Sequence, residues 1–147
     1  MDKQAFNINK YLVFDVCDEK MSVKVKNVLE VFDNPVLSPI PGDFQYIEGL
    51  INFRGNIVTV IDLYNKLFAK KNPEKNNFKV LIIKLEKSDE NLFLGLKVTK
   101  IYDVVDIQDN NINSIPDFGK NLNIENFEGV FKYKNDFVMI LNCKKVF

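Results

Sequence analysis

Histidine and tryptophan are absent from this 147-residue chain, and cysteine occurs only twice. Without histidine the chain lacks the side chain used most often as general base and metal ligand near neutral pH. Cys17 and Cys143 stand far apart with no Cys-x-x-Cys spacing, so a zinc site is not expected. Both lie in apolar runs, Phe14 to Cys17 and Met139 to Cys143, and read as free buried thiols in a reducing compartment. No apolar run reaches the ~18 residues of a membrane helix. The start, Met1 to Asn7, lacks a signal-peptide core. A cytoplasmic protein without direct membrane insertion is therefore expected. Net charge is missing too: 20 basic residues balance 20 acidic ones, which leaves no broad basic field for nucleic acid. Phosphate loops, Gly-x-Gly-x-x-Gly and Gly-x-Ser-x-Gly do not occur. Ser22, Ser38, Ser88 and Ser114 have no histidine to activate them, and Asp103 and Asp106 read as surface carboxylates. Neither an enzyme nor a cofactor is expected.

What the chain does hold is apolar strand pattern: 46% hydrophobic residues, with 13 Phe and 5 Tyr. Tyr11 to Cys17 reads as a first strand, turned by Asp18-Glu19-Lys20 into Met21 to Val25, which alternates as a half-buried strand does. Asn34-Pro35 ends the next apolar run, and Pro35, Pro39 and Pro41 mark an extended connection. Lys70 to Asn77, polar and carrying Pro73, reads as a linker.

Beyond the linker the pattern begins again. Val80 to Leu85 repeats the first strand, and Met21 to Val31 aligns without a gap on Leu94 to Val104. Ser38-Pro39-Ile40-Pro41 finds a counterpart in Ser114-Ile115-Pro116. Ile47-Glu48-Gly49-Leu50 aligns on Phe127-Glu128-Gly129-Val130, in a register that runs on to Phe147. Four matches in one order indicate a tandem duplication, about residues 10–69 and 78–147, within one unit spanning 8–147. The expected fold is all-β: two packed five-stranded barrels with short helical turns, an arrangement that leaves room for strands to be exchanged between them. Val25 to Val28 and Val98 to Ile101 are expected to line a groove between the barrels.

The chain is organised around Tyr46 to Leu63. Two apolar runs, Leu50 to Phe53 and Ile57 to Ile61, flank Arg54-Gly55-Asn56, a three-residue hairpin signal that puts Arg54 at or beside the tip. Asp62 reads as the cap of a short helix. This stretch resembles the signature of CheW-like domains, the coupling proteins of bacterial chemotaxis, apart from Thr59, where the family usually has proline. The resemblance covers about residues 10–147. It implies two SH3-like barrels that do no chemistry. It also implies two partners: the regulatory domain of a CheA-type histidine kinase, against one barrel, and the cytoplasmic tip of a chemoreceptor, against the groove. The protein would then sit in the cytoplasm at membrane-bound receptor arrays. Carried over by position, Arg54 with Gly55 and Asn52 matches the motif's signalling arginine. Glu30 and Val28 match the interaction face, and Val98 and Ile101 the groove's other side. Thr99 and Asn142 stand where aspartates are usual. A CheW-like adaptor for surface motility or gene regulation, and an oligonucleotide-binding barrel, are the alternatives.

Overall fold

A computed structural model describes residues 7–42, 44–86, 92–116 and 123–145. Ser88 and the expected end of the second repeat at Phe147 lie outside the described residues. The first repeat forms β1 (Ile8–Val16), β2 (Glu19–Lys24), β3 (Val28–Asp33), β4 (Ile47–Phe53), β5 (Asn56–Asp62) and α1 (Leu63–Phe68). The second forms β6 (Lys79–Leu85), β7 (Leu92–Val98), β8 (Lys100–Gln108), β9 (Phe127–Tyr133) and β10 (Asp136–Leu141). The fold is two five-stranded SH3-like barrels, and each is built from both repeats. Barrel A runs β8-β1-β2-β10-β9 and barrel B runs β3-β6-β7-β5-β4. Each repeat keeps its own hairpins, β1–β2 and β4–β5 in one, β6–β7 and β9–β10 in the other. The remaining pairings, β1–β8, β2–β10, β3–β6 and β5–β7, join one repeat to the other. Two of these seams are parallel and equivalent: Met21 opposite Met139 in barrel A, and Val60 opposite Gly95 in barrel B.

This interlock explains the unbroken apolar runs. A strand buried on both faces has no polar face to alternate with. In β1, Leu12, Phe14 and Val16 face a core shared by the barrels, while Tyr11 and Val13 fill barrel A. In β6, Leu81, Ile83 and Leu85 face the shared core, while Val80 and Ile82 fill barrel B. The two barrels are thus packed through a common core that also takes in Met21, Leu63, Leu96 and Leu141.

The chain crosses between barrels at two short segments, the 3₁₀ turn Val25–Asn27 and the Val98–Lys100 junction. These two segments, expected to line a groove, are half-buried or exposed apart from Asn27 and Val98, and polar bonds fix both crossings. Asn27 is buried, and its amide donates to the Lys84 carbonyl and to Glu86 Oε1, each at 3.0 Å. The Thr99 N–H donates to the Asp15 carbonyl at 2.8 Å, and its Oγ1 accepts from the Cys17 N–H at 2.9 Å. The latter bond steadies the β1–β2 turn, whose two residues, Cys17 and Asp18, hold left-handed φ of 48° and 71°. Asn142, the other departure from the usual aspartate, holds a turn at the position where Asp62 caps helix α1. Asp62 Oδ1 accepts from the Asn65 N–H and Asn142 Oδ1 from the Lys144 N–H.

Gly49 and Gly129 mark a second equivalence. Beside each a connecting segment bridges to the next strand residue, Ser38 to Leu50 and Asn113 to Val130, so Ser38 corresponds to Asn113 rather than Ser114. A Cβ on Gly49 would stand 2.6 Å from the Ser38 carbonyl oxygen. Backbone cannot yield as a side chain does, so Gly49→Ala is expected to cost about 1–3 kcal/mol, read as a lower urea midpoint.

Of the two cysteines, both free, Cys143 is buried and Cys17 only half-buried. Burial pushes the Cys143 thiol up to about 12 from 9.0. A thiol raised in the folded state stabilises it fully below pH 9.0, and that contribution is lost as pH climbs towards 12. At neutral pH, Cys143 is expected to react with a thiol reagent only as fast as the chain opens, a rate that denaturant should raise.

Candidate functional site

The β4–β5 hairpin is tighter than its sequence suggests. Phe53 pairs with Asn56, leaving a two-residue turn in which Arg54 has φ 51° and Gly55 φ 82°. That is the handedness of a type I′ turn, whose twist matches that of the strands. Gly55 meets the requirement without strain, and Asn52 reinforces it: its Oδ1 accepts the Gly55 N–H at 3.1 Å. Asn52 and Gly55 therefore build the tip, and Arg54 is displayed on it. The Arg54 guanidinium lies 4.8 Å above the Phe53 ring, which itself meets Phe93 edge-on at 5.8 Å. Arg54 is exposed, and it has no ion-pair partner among the described residues. Further along the hairpin Ile57 is 77% exposed, although the apolar run suggested a buried residue. Strand alternation is the signal that finds it, because its neighbour Val58 points into barrel B.

Barrel A carries the corresponding turn with other chemistry. Lys134, at φ 54°, lies 5.2 Å over the Tyr133 ring, and Phe137 stands exposed where Ile57 does. This tip is tied down: Asp136 pairs with Lys20 at 3.4 Å and the Tyr133 hydroxyl donates to Asp103 at 2.6 Å. Beside it, the Tyr102 hydroxyl donates to the buried Asp15 carboxylate, with Lys20 3.9 Å from the other oxygen. Sequence reading missed this cluster. A lone aspartate in an apolar strand signals it, since a buried carboxylate needs partners.

The seven residues singled out from the sequence fall into three places. Asn52, Arg54 and Gly55 form the tip of barrel B. Glu30 is exposed on β3, at the edge of the same barrel's sheet, just past a bulge. Val28, Val98 and Ile101 gather at the shared core between the barrels. Val98 is 2% exposed there, so it cannot meet a partner directly, and its expected place on a groove wall is corrected to the core. Val28 and Ile101 are half-buried at the rim of that core. Asp103 and Asp106 are exposed, Asp106 in an ion pair with Lys10 at 2.9 Å.

Two interlocked SH3-like barrels, each drawing strands from both repeats, define a class of duplicated β domain. The CheW-like domain profile matches residues 10–147, and the chain belongs to that family. It is 25% identical over 138 residues to the chemotaxis protein CheW of Thermotoga maritima, a match covering 92% of this chain and 85% of that one. To the chemotaxis protein CheW of Bacillus subtilis it is 26% identical over 139 residues, covering 93% and 85%. Its fold superimposes on the scaffolding protein TtCheW from Thermoanaerobacter tengcongensis with a TM-score of 0.82 at 24% identity, covering 100% of this chain and 92% of that one. Among the described residues no helix is long and apolar enough to cross a membrane.

Proposed function

We propose that the protein is a non-enzymatic adaptor that couples a CheA-type histidine kinase to the cytoplasmic tips of chemoreceptors, working in the cytoplasm at receptor arrays. The observation that carries this reading is Arg54: an exposed guanidinium on a stiff left-handed turn, unpaired among the described residues, in a chain of the CheW-like family. A cation held this way is preorganised for a carboxylate on a partner, since little freedom is lost on binding. The kinase regulatory domain would meet barrel B at this tip and along β3, with Arg54 and Glu30 setting register and specificity. A helical receptor tip would lie along the seam of the barrels. Because the shared core fills that seam, contact falls to its rim, to Val28 and Ile101. Binding of the purified chain to the kinase regulatory domain and to a receptor-tip fragment is the test. Binding to both is expected, and failure to bind either one contradicts the proposal.

A further inference from the structure

The segment from Lys70 to Asn77 is not the free linker its composition suggests. Asn72 pins it: its Nδ2 donates to Asp62 Oδ1 at 3.0 Å, while its Oδ1 accepts from the Cys17 thiol at 3.0 Å and the Glu74 N–H at 2.8 Å. Between this strap and barrel B opens a polar cavity of about 380 Å³, lined by Lys71, Lys75 and Lys97 and by the carboxylates of Glu48 and Asp62, so cations outnumber anions on its wall by one. Lys97 is the unusual member. It is 6% exposed, with its ammonium 5.0 Å from the Phe78 ring centre and 3.4 Å from Glu48 Oε1. An ammonium carries three donors, and among the described residues this one makes no hydrogen bond. Glu48 stands beyond the about 2.7–2.9 Å of a charge-assisted bond. Paired with Glu48 on one side, this nearly buried ammonium has further donors on the cavity wall, where they can receive an anion.

Two more ammonium groups ride on a strap that is already held in place, which lowers the cost of ordering them around a ligand. Three cations suit a phosphate, which offers three acceptor oxygens and more than one charge. The cavity is at the low end of the ~300–1,000 Å³ of small-molecule sites and exceeds the needs of a bare phosphate. Glu48 and Gln45, also on its wall, supply acceptors for hydroxyl groups. We propose that this cavity binds a small phosphorylated molecule bearing hydroxyls. Its phosphate rests on Lys97, Lys71 and Lys75, and its hydroxyls on Glu48 and Gln45. The site is separate from the Arg54 tip and does not rest on the choice of protein partners.

The test is a titration of the full chain, followed in its amide NMR spectrum, with ribose 5-phosphate, inorganic phosphate and ribose at constant ionic strength. Saturable shifts centred on Glu48, Asn65, Asn72 and Lys97 are expected with ribose 5-phosphate, weaker ones with phosphate and none with ribose. Lys97→Met, which keeps the cover on Phe78, should weaken binding about tenfold, or ~1.4 kcal/mol. Because that change also unpairs Glu48, a second variant with Lys71→Glu and Lys75→Glu, both at exposed positions, should weaken binding as much and leave the remaining spectrum in place. Shifts that never saturate, binding unchanged in the second variant, or phosphate binding as tightly as ribose 5-phosphate would each overturn the proposal.

Discussion

Replacing Arg54 by glutamate is expected to abolish receptor control of the kinase while the chain stays folded. The side chain lies on the surface, and its left-handed backbone is set by the turn, by Gly55 and by the Asn52 bond to the Gly55 N–H. Glutamate inherits that same backbone strain, so it cancels in the comparison. What the fold loses is one exposed cation–ring contact at 4.8 Å, worth about 0.5 kcal/mol. What a partner loses is larger: a carboxylate facing Arg54 would then meet a like charge, and such juxtapositions cost several kcal/mol across an interface. Affinity for the kinase domain should fall by at least about a hundredfold, or ~2.8 kcal/mol, and Arg54→Lys should recover part of it. Urea unfolding and a binding isotherm on the same preparation separate the two effects. Loss of cooperative unfolding in Arg54→Glu would mean that the arginine is structural.

The second large effect concerns the chain cut between its repeats. Fragments 1–69 and 78–147 are each expected to be unfolded alone, and to regain β structure when mixed. Each fragment would keep two hairpins and lose every pairing that joins them into barrels, β1–β8, β2–β10, β3–β6 and β5–β7. An isolated two-stranded hairpin is marginal at best in water. The shared core would also be split, because Leu12, Phe14 and Met21 come from one fragment and Leu81, Ile83 and Leu96 from the other. Circular dichroism of the separate and mixed fragments reads the result. A fragment that folds alone with a cooperative transition would show that the barrels do not depend on the interlock.

The repeat was legible because its hairpins obey local rules. Gly49 and Gly129 each lie under a bridging segment, and each hairpin tip pairs a cation with an aromatic before it. The division of strands between barrels was not legible, since a strand's residues record that it is buried but not by which neighbour. Val98 shows this: it continues the alternation of β7 and read as groove lining, yet the crossover that begins at Thr99 places it in the shared core. Thr99 itself read as a departure from a motif, and it is a clasp on the Cys17 turn. The burial of Lys97 was not legible either, because it depends on strands on both sides of β7 and on Phe78 and Glu48, which meet its ammonium from elsewhere in the chain. Arg54 was placed correctly at the tip with its loop one residue too long. The composition of the loop signals a turn, while strand register decides its length.

Coupling itself is measured most directly by kinase autophosphorylation in vesicles carrying a chemoreceptor, with and without this chain. Addition of the chain should raise the rate and make it respond to the receptor's ligand, and Arg54→Glu should do neither. A kinase that responds equally without the chain, or stays unresponsive with both partners bound to it, would contradict the adaptor account.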